Sequence, residues 1–327
     1  MGLYIDNSCD ESRSEAAEST DRKSFMSKDR VGFIGLGRMG GAMAERLLAR
    51  GVPLTVYDVN AENVAPFVAG GAESVASVGE VADRARVVFS CLPTTQLSLD
   101  IALGPISEGH AVEVYVDTGT IGMEVARRIA EGLPNRIGFL DAPVSGGPNG
   151  ARAGTLTTMV SGPATAFALA RQYLAVMAKN VFHVGDRAGQ AQLAKLINNH
   201  LSAAGRLAAF EGLVLGMKAG IDPMRLLEVI NTSTGRNHTT SDKIPAAVRS
   251  GDFAYGARLA NSVKDESLLM DEAEALGVPL WLAPRMVETL KTAAEAGYLD
   301  KDSMLLIQFM GEQAGIDARA ILEAASQ

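Results

Sequence analysis

This chain has little that could cross-link it. Only two cysteines occur in 327 residues: Cys9 in a polar N-terminal stretch and Cys91 at the end of an apolar run. That argues against a disulfide framework and fits a reducing compartment, so a cytoplasmic location is expected. The four histidines are not spaced with the cysteines as ligands, so no metal is expected. Basic residues are outnumbered, 30 Lys and Arg against 38 Asp and Glu, giving a net charge of −8. With no basic tract, nucleic acid is not expected as a partner. No apolar run reaches membrane-spanning length, so no membrane partner is expected either. Aromatic residues are scarce at 5%, although hydrophobic residues make up 47%. Ala, Gly, Leu and Val are abundant instead. That is the texture of a helix-rich α/β protein, at a length suited to two domains.

The first 30 residues carry seven acids, five bases, many serines and no apolar periodicity. Residues 1–29 therefore read as a disordered tail, with neither a secretory signal nor the arginine-rich character of a mitochondrial presequence. Met26, just ahead of the first apolar run, is expected to be a natural start and the preceding residues dispensable.

What is present begins at Val31. The run Val31 to Ile34 reads as a buried strand. Gly35-Leu36-Gly37-Arg38-Met39-Gly40 follows it, then a helical stretch to Arg50 that stops at Gly51, then a second strand from Leu54 to Tyr57, then Asp58. Strand, glycine turn, helix, strand, acid is the order of a dinucleotide-binding unit. Gly35 permits the tight turn, Gly37 admits a pyrophosphate close to the backbone, and Gly40 lets the helix pack on the strand. Asp58 lies 18 residues after Gly40, where its carboxylate can accept from both ribose hydroxyls and would repel a 2′-phosphate. NAD is therefore expected over NADP.

The alternation continues. Helices are expected over 61–69, 77–84, 121–131 and 164–178, and strands over 87–91, 112–116, 138–140, 157–160 and 181–184. This implies a parallel, doubly wound sheet. From Gly189 onward no strand pattern remains. Residues 190–219 form one long helical pattern, and shorter helices follow, one opening at Asp222-Pro223. The chain thus divides into a Rossmann-type domain over 30–188 and an all-α domain over 189–327, joined by the long helix.

Four places could carry chemistry. Leu92-Pro93 and Asp117-Thr118-Gly119-Thr120 follow strands, and the carboxyl ends of strands face the ligand crevice in an open parallel sheet. Asp141-Ala142-Pro143-Val144-Ser145-Gly146-Gly147-Pro148 also follows a strand, and Ser145, Gly146 and Gly147 can offer a hydroxyl and two N–H groups to one anion. Lys195 and Asn199 stand four apart on the long helix and share a face. On so apolar a helix a lysine is either a solvated surface group or a buried amine with a lowered pKa, able to act as acid or base.

Together these motifs resemble the β-hydroxyacid dehydrogenase family, the group of 3-hydroxyisobutyrate dehydrogenase and tartronate semialdehyde reductase. The resemblance runs from Val31 to Asp317 and rests on four motifs in order: Gly35 to Gly40, Asp141 to Gly147, Gly189 to Asn199, and Lys264-Asp265. It implies that Lys195 is the catalytic proton donor and acceptor, and that Asn199, Ser145, Gly146 and Gly147 hold the substrate and its carboxylate. It assigns Gly35, Leu36, Gly37, Arg38, Met39, Gly40, Asp58, Leu92, Pro93, Thr120, Lys264 and Asp265 to the cofactor region, with Asp265 also bracing the closed site. Two departures stand out. Ala191 replaces the second glycine of the usual Gly-x-Gly before the lysine, where a small change in packing is expected. His238 stands near the position of an aromatic that lines the substrate end of the pocket, so His238 bears on the choice of substrate.

The reaction so implied is reversible, NAD-linked oxidation of a small 3-hydroxy acid by a homodimer or homotetramer. An NADPH-dependent semialdehyde or glyoxylate reductase is the alternative, but those relatives tend to carry Asn-Arg-Thr or Asn-Arg-Ser in place of Asp58. A non-catalytic interaction module of the same fold, or an imine reductase, would lack the lysine that is present at 195.

Overall fold

Val31–Ile34 is buried along its whole length because it presents apolar groups to both faces of a sheet. Val31 and Phe33 join one cluster of buried residues and Ile34 joins another. The same alternation divides Val87 and Phe89 from Val88, and Val114 and Val116 from Tyr115. A period of two with both faces covered is the mark of an internal parallel sheet. The computed structural model describes residues 29–254 and 256–325. Apart from Asp29, the tail expected over 1–29, with Cys9 and Met26, lies outside the described residues.

The strands are β1 (Val31–Ile34), β2 (Leu54–Tyr57), β3 (Glu73–Ser74), β4 (Val87–Ser90), β5 (Val114–Asp117), β6 (Gly138–Asp141), β7 (Val144–Ser145), β8 (Leu156–Ser161) and β9 (Ala178–Gly185). The helices between them are α1 (Gly40–Ala49), α2 (Ala61–Ala69), α3 (Val78–Arg84), α4 (Thr95–Ile101), α5 (Met123–Gly132), α6 (Gly147–Ala153) and α7 (Ala164–Met177). Strands β3-β2-β1-β4-β5-β6 lie side by side and all pair in parallel. The order reverses direction between β1 and β4. A crevice opens there at the carboxyl ends of the strands, where such sheets bind ligands.

The expected parallel sheet does not extend past β6. Strand β8 runs antiparallel to both β6 and β7, and β9 returns parallel to β8. The reason is chain length. Only residues 146–155 connect β7 to β8, too few for a parallel crossover, which takes about a dozen residues or more. Between β8 and β9 the 14-residue helix α7 supplies that crossover. The two-residue strands β3 and β7, and the helices α4 and α6, carry no periodic pattern and were not legible in advance.

After β9 comes α8 (Gln190–Lys218), followed by α9 (Pro223–Thr232), α10 (Ile244–Ser250), α11 (Leu259–Ala275), α12 (Ala283–Ala293), α13 (Leu306–Gln313) and α14 (Ala318–Ala324). They enclose a third cluster of buried residues centred on Phe210, Leu213, Ile244, Leu290 and Ile307. Among the described residues no helix is long and apolar enough to cross a membrane.

Three buried polar side chains fix the helical domain on the sheet. Asp141, at the end of β6, accepts from Ser161 Oγ at 2.6 Å and Gly189 N at 3.0 Å through one oxygen, and from Gln192 N at 3.1 Å through the other. Gln192 Oε1 accepts from Ile121 N and Gly122 N, while its Nε2 donates to Gly119 O. Helix α5 has no side-chain cap of its own. Glu272 of α11 supplies one across the junction, accepting from Met123 N at 2.5 Å and Glu124 N at 3.2 Å. Each satisfies backbone groups that burial would otherwise strand. Ala191, the departure from Gly-x-Gly, is fully buried, and its N–H donates to Ser161 Oγ at 2.8 Å. The extra methyl is accommodated at the head of α8.

Candidate active site

A cleft of about 940 Å³ lies between the carboxyl ends of the strands and helices α8 and α11. The sheet side supplies Arg38, Met39, Leu92, Pro93 and Thr120, and the loop after β6 supplies Ser145, Gly146 and Gly147. The helical side supplies Lys195, Asn199, His238, Lys264 and Asp265. Thirteen of the residues expected at the site therefore meet at one cleft. Gly35, Leu36, Gly37, Gly40 and Asp58 do not line it; they form the turn beside it and its support.

That turn fits a dinucleotide. A Cβ on Gly40 would lie 2.0 Å from Gly35 O, and one on Gly35 would lie 2.4 Å from Cys91 O, so the backbone is as close-packed there as the motif requires. Gly37 is the opposite case, with nothing within 4 Å of a built Cβ, which leaves its backbone open to a ligand. Helix α1 begins here with no side-chain cap and no acid in its first turn. Gly41 N donates back to Gly37 O at 2.7 Å, and the helix start otherwise suits phosphate oxygens, which favour the positive end of a helix. Asp58 stands directly after β2. Its carboxylate accepts from Leu36 N at 2.6 Å, Asn60 N at 2.8 Å and Asn63 Nδ2 at 3.3 Å. Asp58 thus ties the glycine turn to the start of α2, which Asn60 caps.

Lys195 is 7% exposed. Burial pushes its pKa down to about 8, with the neighbouring Asp265 opposing the shift and Lys264 adding to it. Of the two readings of a lysine on this helix, the structure has the buried amine at the cleft. Asn199, one turn on, donates to Asp265 Oδ2 at 2.7 Å. Lys264 pairs with Asp265 at 3.3 Å and donates to Thr120 O at 2.7 Å, bridging the two walls. Cys91 also lines the cleft, but burial raises its thiol to about 11, so it is no nucleophile near neutrality. The His238 pKa is lowered by burial, with Lys243 adding to the effect and Asp242 opposing it. An imidazole so placed is a neutral hydrogen-bonding group near pH 7.

The site holds residues that the motifs did not point to: Arg206, Lys243, Ser262 and Glu266 line the same cleft. Arg206 had a signal in the sequence, since it continues the stripe of Lys195, Asn199 and Ser202 along α8. Lys243 had none, because it comes from a turn far along the chain.

Two family models cover most of the chain. The NAD-binding domain of 6-phosphogluconate dehydrogenase matches residues 30–185, and the NAD-binding region of NADP-dependent 3-hydroxyisobutyrate dehydrogenase matches residues 189–310. Among curated proteins, 3-hydroxyisobutyrate dehydrogenase of Pseudomonas aeruginosa is 37% identical over 81% of this chain and 93% of its own length. The 2-(hydroxymethyl)glutarate dehydrogenase of Eubacterium barkeri is 33% identical over 88% of this chain and 96% of its own. A solved structure of Mycobacterium tuberculosis 3-hydroxyisobutyrate dehydrogenase with L-serine superimposes with a TM-score of 0.78 at 29% identity. It covers 87% of this chain and 99% of that one.

Proposed function

The chain belongs to the β-hydroxyacid dehydrogenase family, and on that premise we propose that it catalyses the reversible, NAD-linked oxidation of a small 3-hydroxy acid. The observation that carries the proposal is the buried Lys195 with its lowered pKa, at one cleft with the glycine-turn residues Arg38 and Met39 and the Ser145 loop. Bound NAD supplies the hydride acceptor. Lys195, as the neutral amine, accepts the proton of the substrate hydroxyl and returns it in the reverse direction. Ser145, Gly146 and Gly147 hold the substrate carboxylate, and Asn199, fixed by Asp265, orients the reacting end. The walls bridged by Lys264 and Thr120 limit access of water. Assaying a panel of small 3-hydroxy acids with NAD and NADP in parallel tests the proposal, and no turnover with either cofactor would refute it.

Cofactor choice follows Asp58. NAD is expected to be preferred by at least about tenfold in kcat/KM, since lost ribose bonds and charge repulsion together exceed roughly 1.4 kcal/mol. Equal values for the two cofactors would remove this role, and Asp58→Ser is expected to narrow the gap.

We also propose a homodimer or a higher oligomer. Ile197, Leu201 and Leu215 are 47%, 66% and 72% exposed. With Ala204 and Ala208 between them they fall on one face of α8, interrupted by Glu211. Small and apolar residues along a 29-residue helix suit close helix packing between subunits. Light scattering at micromolar concentration is expected to give at least twice the monomer mass; a monomer would refute it. The two-cysteine composition supports a cytoplasmic location.

A further inference from the structure

A second group of cations lines the cleft beyond the residues assigned so far. Lys195, Asn199, Ser202 and Arg206 recur at i, i+4, i+7 and i+11 on α8 and form one stripe, and all four line the cleft. Arg206 is 4% exposed. Its Nη2 donates to Ser262 Oγ at 3.0 Å, but its buried Nε has no hydrogen-bond partner among the described residues. A buried charged donor left without an acceptor is costly, and an arriving anion would remove that cost. Lys243, 7% exposed, lines the same cleft from the turn Thr239–Lys243. Burial pushes Arg206 down to about 10 and Lys243 to about 8, and the charge of Arg206 lowers Lys243 further. Asp302 opposes both shifts and Glu266 opposes that of Arg206, and both acids hold other partners as well. Asp302 accepts from the N–H groups of Gly256, Ala257 and Met304, and Glu266 is bonded to His200 Nδ1 at 2.8 Å.

Spacing limits the ligand. Asn199 bonds Asp265, and Arg206 bonds Ser262. Ser262 and Asp265 stand three residues apart on α11, a rise of about 4.5 Å. Asn199 and Arg206 are seven residues apart on α8, a rise of about 10 Å, so the guanidinium sits between about 5 Å and about 10 Å from the amide proposed to meet the substrate.

We infer that Arg206 and Lys243 form a second anion-binding subsite, and that the substrate is a hydroxy acid carrying a distal carboxylate within reach of it. This rests on the dehydrogenase reading above. The first carboxylate goes to the Ser145 loop. The second bonds the free edge of the Arg206 guanidinium, with Lys243 as the compact second cation. A phosphoryl group would offer the same negative charge at this distance, and the test separates the two.

Two substrates that differ only at the distal group are 2-(hydroxymethyl)succinate and 2-(hydroxymethyl)butanoate. The diacid is expected to have a kcat/KM at least about tenfold above the monoacid, as charge-assisted bonds are the strong ones. Lys243→Met and Arg206→Met are each expected to cut that ratio at least about tenfold, with Lys243→Arg retaining most of it. Melting curves check that Arg206→Met folds; if it does not, the Lys243 variants carry the test. Calorimetric titration of the NAD-loaded protein with succinate, butanoate and 3-phosphonopropanoate reads the subsite without turnover. Succinate is expected to bind at least about tenfold tighter than butanoate and to lose that margin in Lys243→Met. A ratio near one in either measurement overturns the subsite, and tighter binding of 3-phosphonopropanoate than of succinate overturns its assignment to a carboxylate. If neither hydroxy acid turns over but the succinate margin holds, the dehydrogenase reading fails and the subsite stands.

Discussion

Lys195→Ala or Lys195→Met is expected to lower kcat at least about a hundredfold, because a positioned proton-transfer group contributes about 10²–10⁴-fold. NAD affinity should stay within a few-fold, since the glycine turn and Asp58 stand beside the sheet side of the cleft, away from the helix that carries Lys195. Arginine keeps the charge but does not give up its proton, so Lys195→Arg should fail nearly as badly. If Lys195→Ala keeps more than about a tenth of kcat while chemistry limits the rate, Lys195 only positions the substrate and the mechanism is wrong. The pH profile gives an independent reading. Oxidation needs the neutral amine. Burial sets its pKa near 8, so kcat/KM for oxidation should rise by about tenfold per pH unit below about 8 and level off above it. Reduction needs the ammonium and should fall off above the same point. Asp265 holds this pKa up and Lys264 holds it down. Asp265→Asn should therefore move the limb to lower pH, and Lys264→Met should move it to higher pH. A limb that stays fixed in both variants would assign the titration to another group.

The sheet as far as β6 was readable because buried parallel strands are short apolar runs and each is followed by a helix with a clear stop. Beyond β6 the pattern gave no warning of reversal. Val144–Ser145 is too short for any period to show, and only the shortness of 146–155 hints that a parallel return is impossible. The cleft was legible in proportion to how local its residues are. Gly35 to Gly40 and Asp58 sit within one βαβ unit, and Lys195 and Asn199 are one helical turn apart. Arg206 and Lys243 meet only through tertiary packing of α8 against the turn before α10. The same holds for Glu272, which caps a helix in the other domain from 148 residues away in sequence. Sequence spacing cannot indicate a cap supplied from such a distance. The resemblance raised Lys195 from a residue with two open readings to the expected acid–base group, and its burial is independent support for that role.

Asp141→Ala is expected to be the most destabilising single change near the site. Its carboxylate accepts from Ser161 Oγ, Gly189 N and Gln192 N, so its loss strands up to three buried donors. Each costs about 1–3 kcal/mol. Part of this is offset, because burial already raises the Asp141 carboxyl above the usual carboxylate range. A net loss of about 3 kcal/mol corresponds to a drop in Tm on the order of 5–10 °C at this size. Function should suffer as well. Gly189 and Gln192 open the helix that carries Lys195, and a displacement of about 1 Å at a reacting group can cost on the order of a hundredfold in rate. Asp141→Asn separates the two contributions. Its one carbonyl oxygen can still serve Ser161 and Gly189, but its amide would place an N–H against the N–H of Gln192. The asparagine variant should therefore melt between wild type and the alanine variant while kcat is reduced in both. Should Asp141→Ala melt within about 2 °C of wild type with kcat unchanged, less than about 1 kcal/mol rests on these contacts, and the position of α8 on the sheet must be set by apolar packing instead.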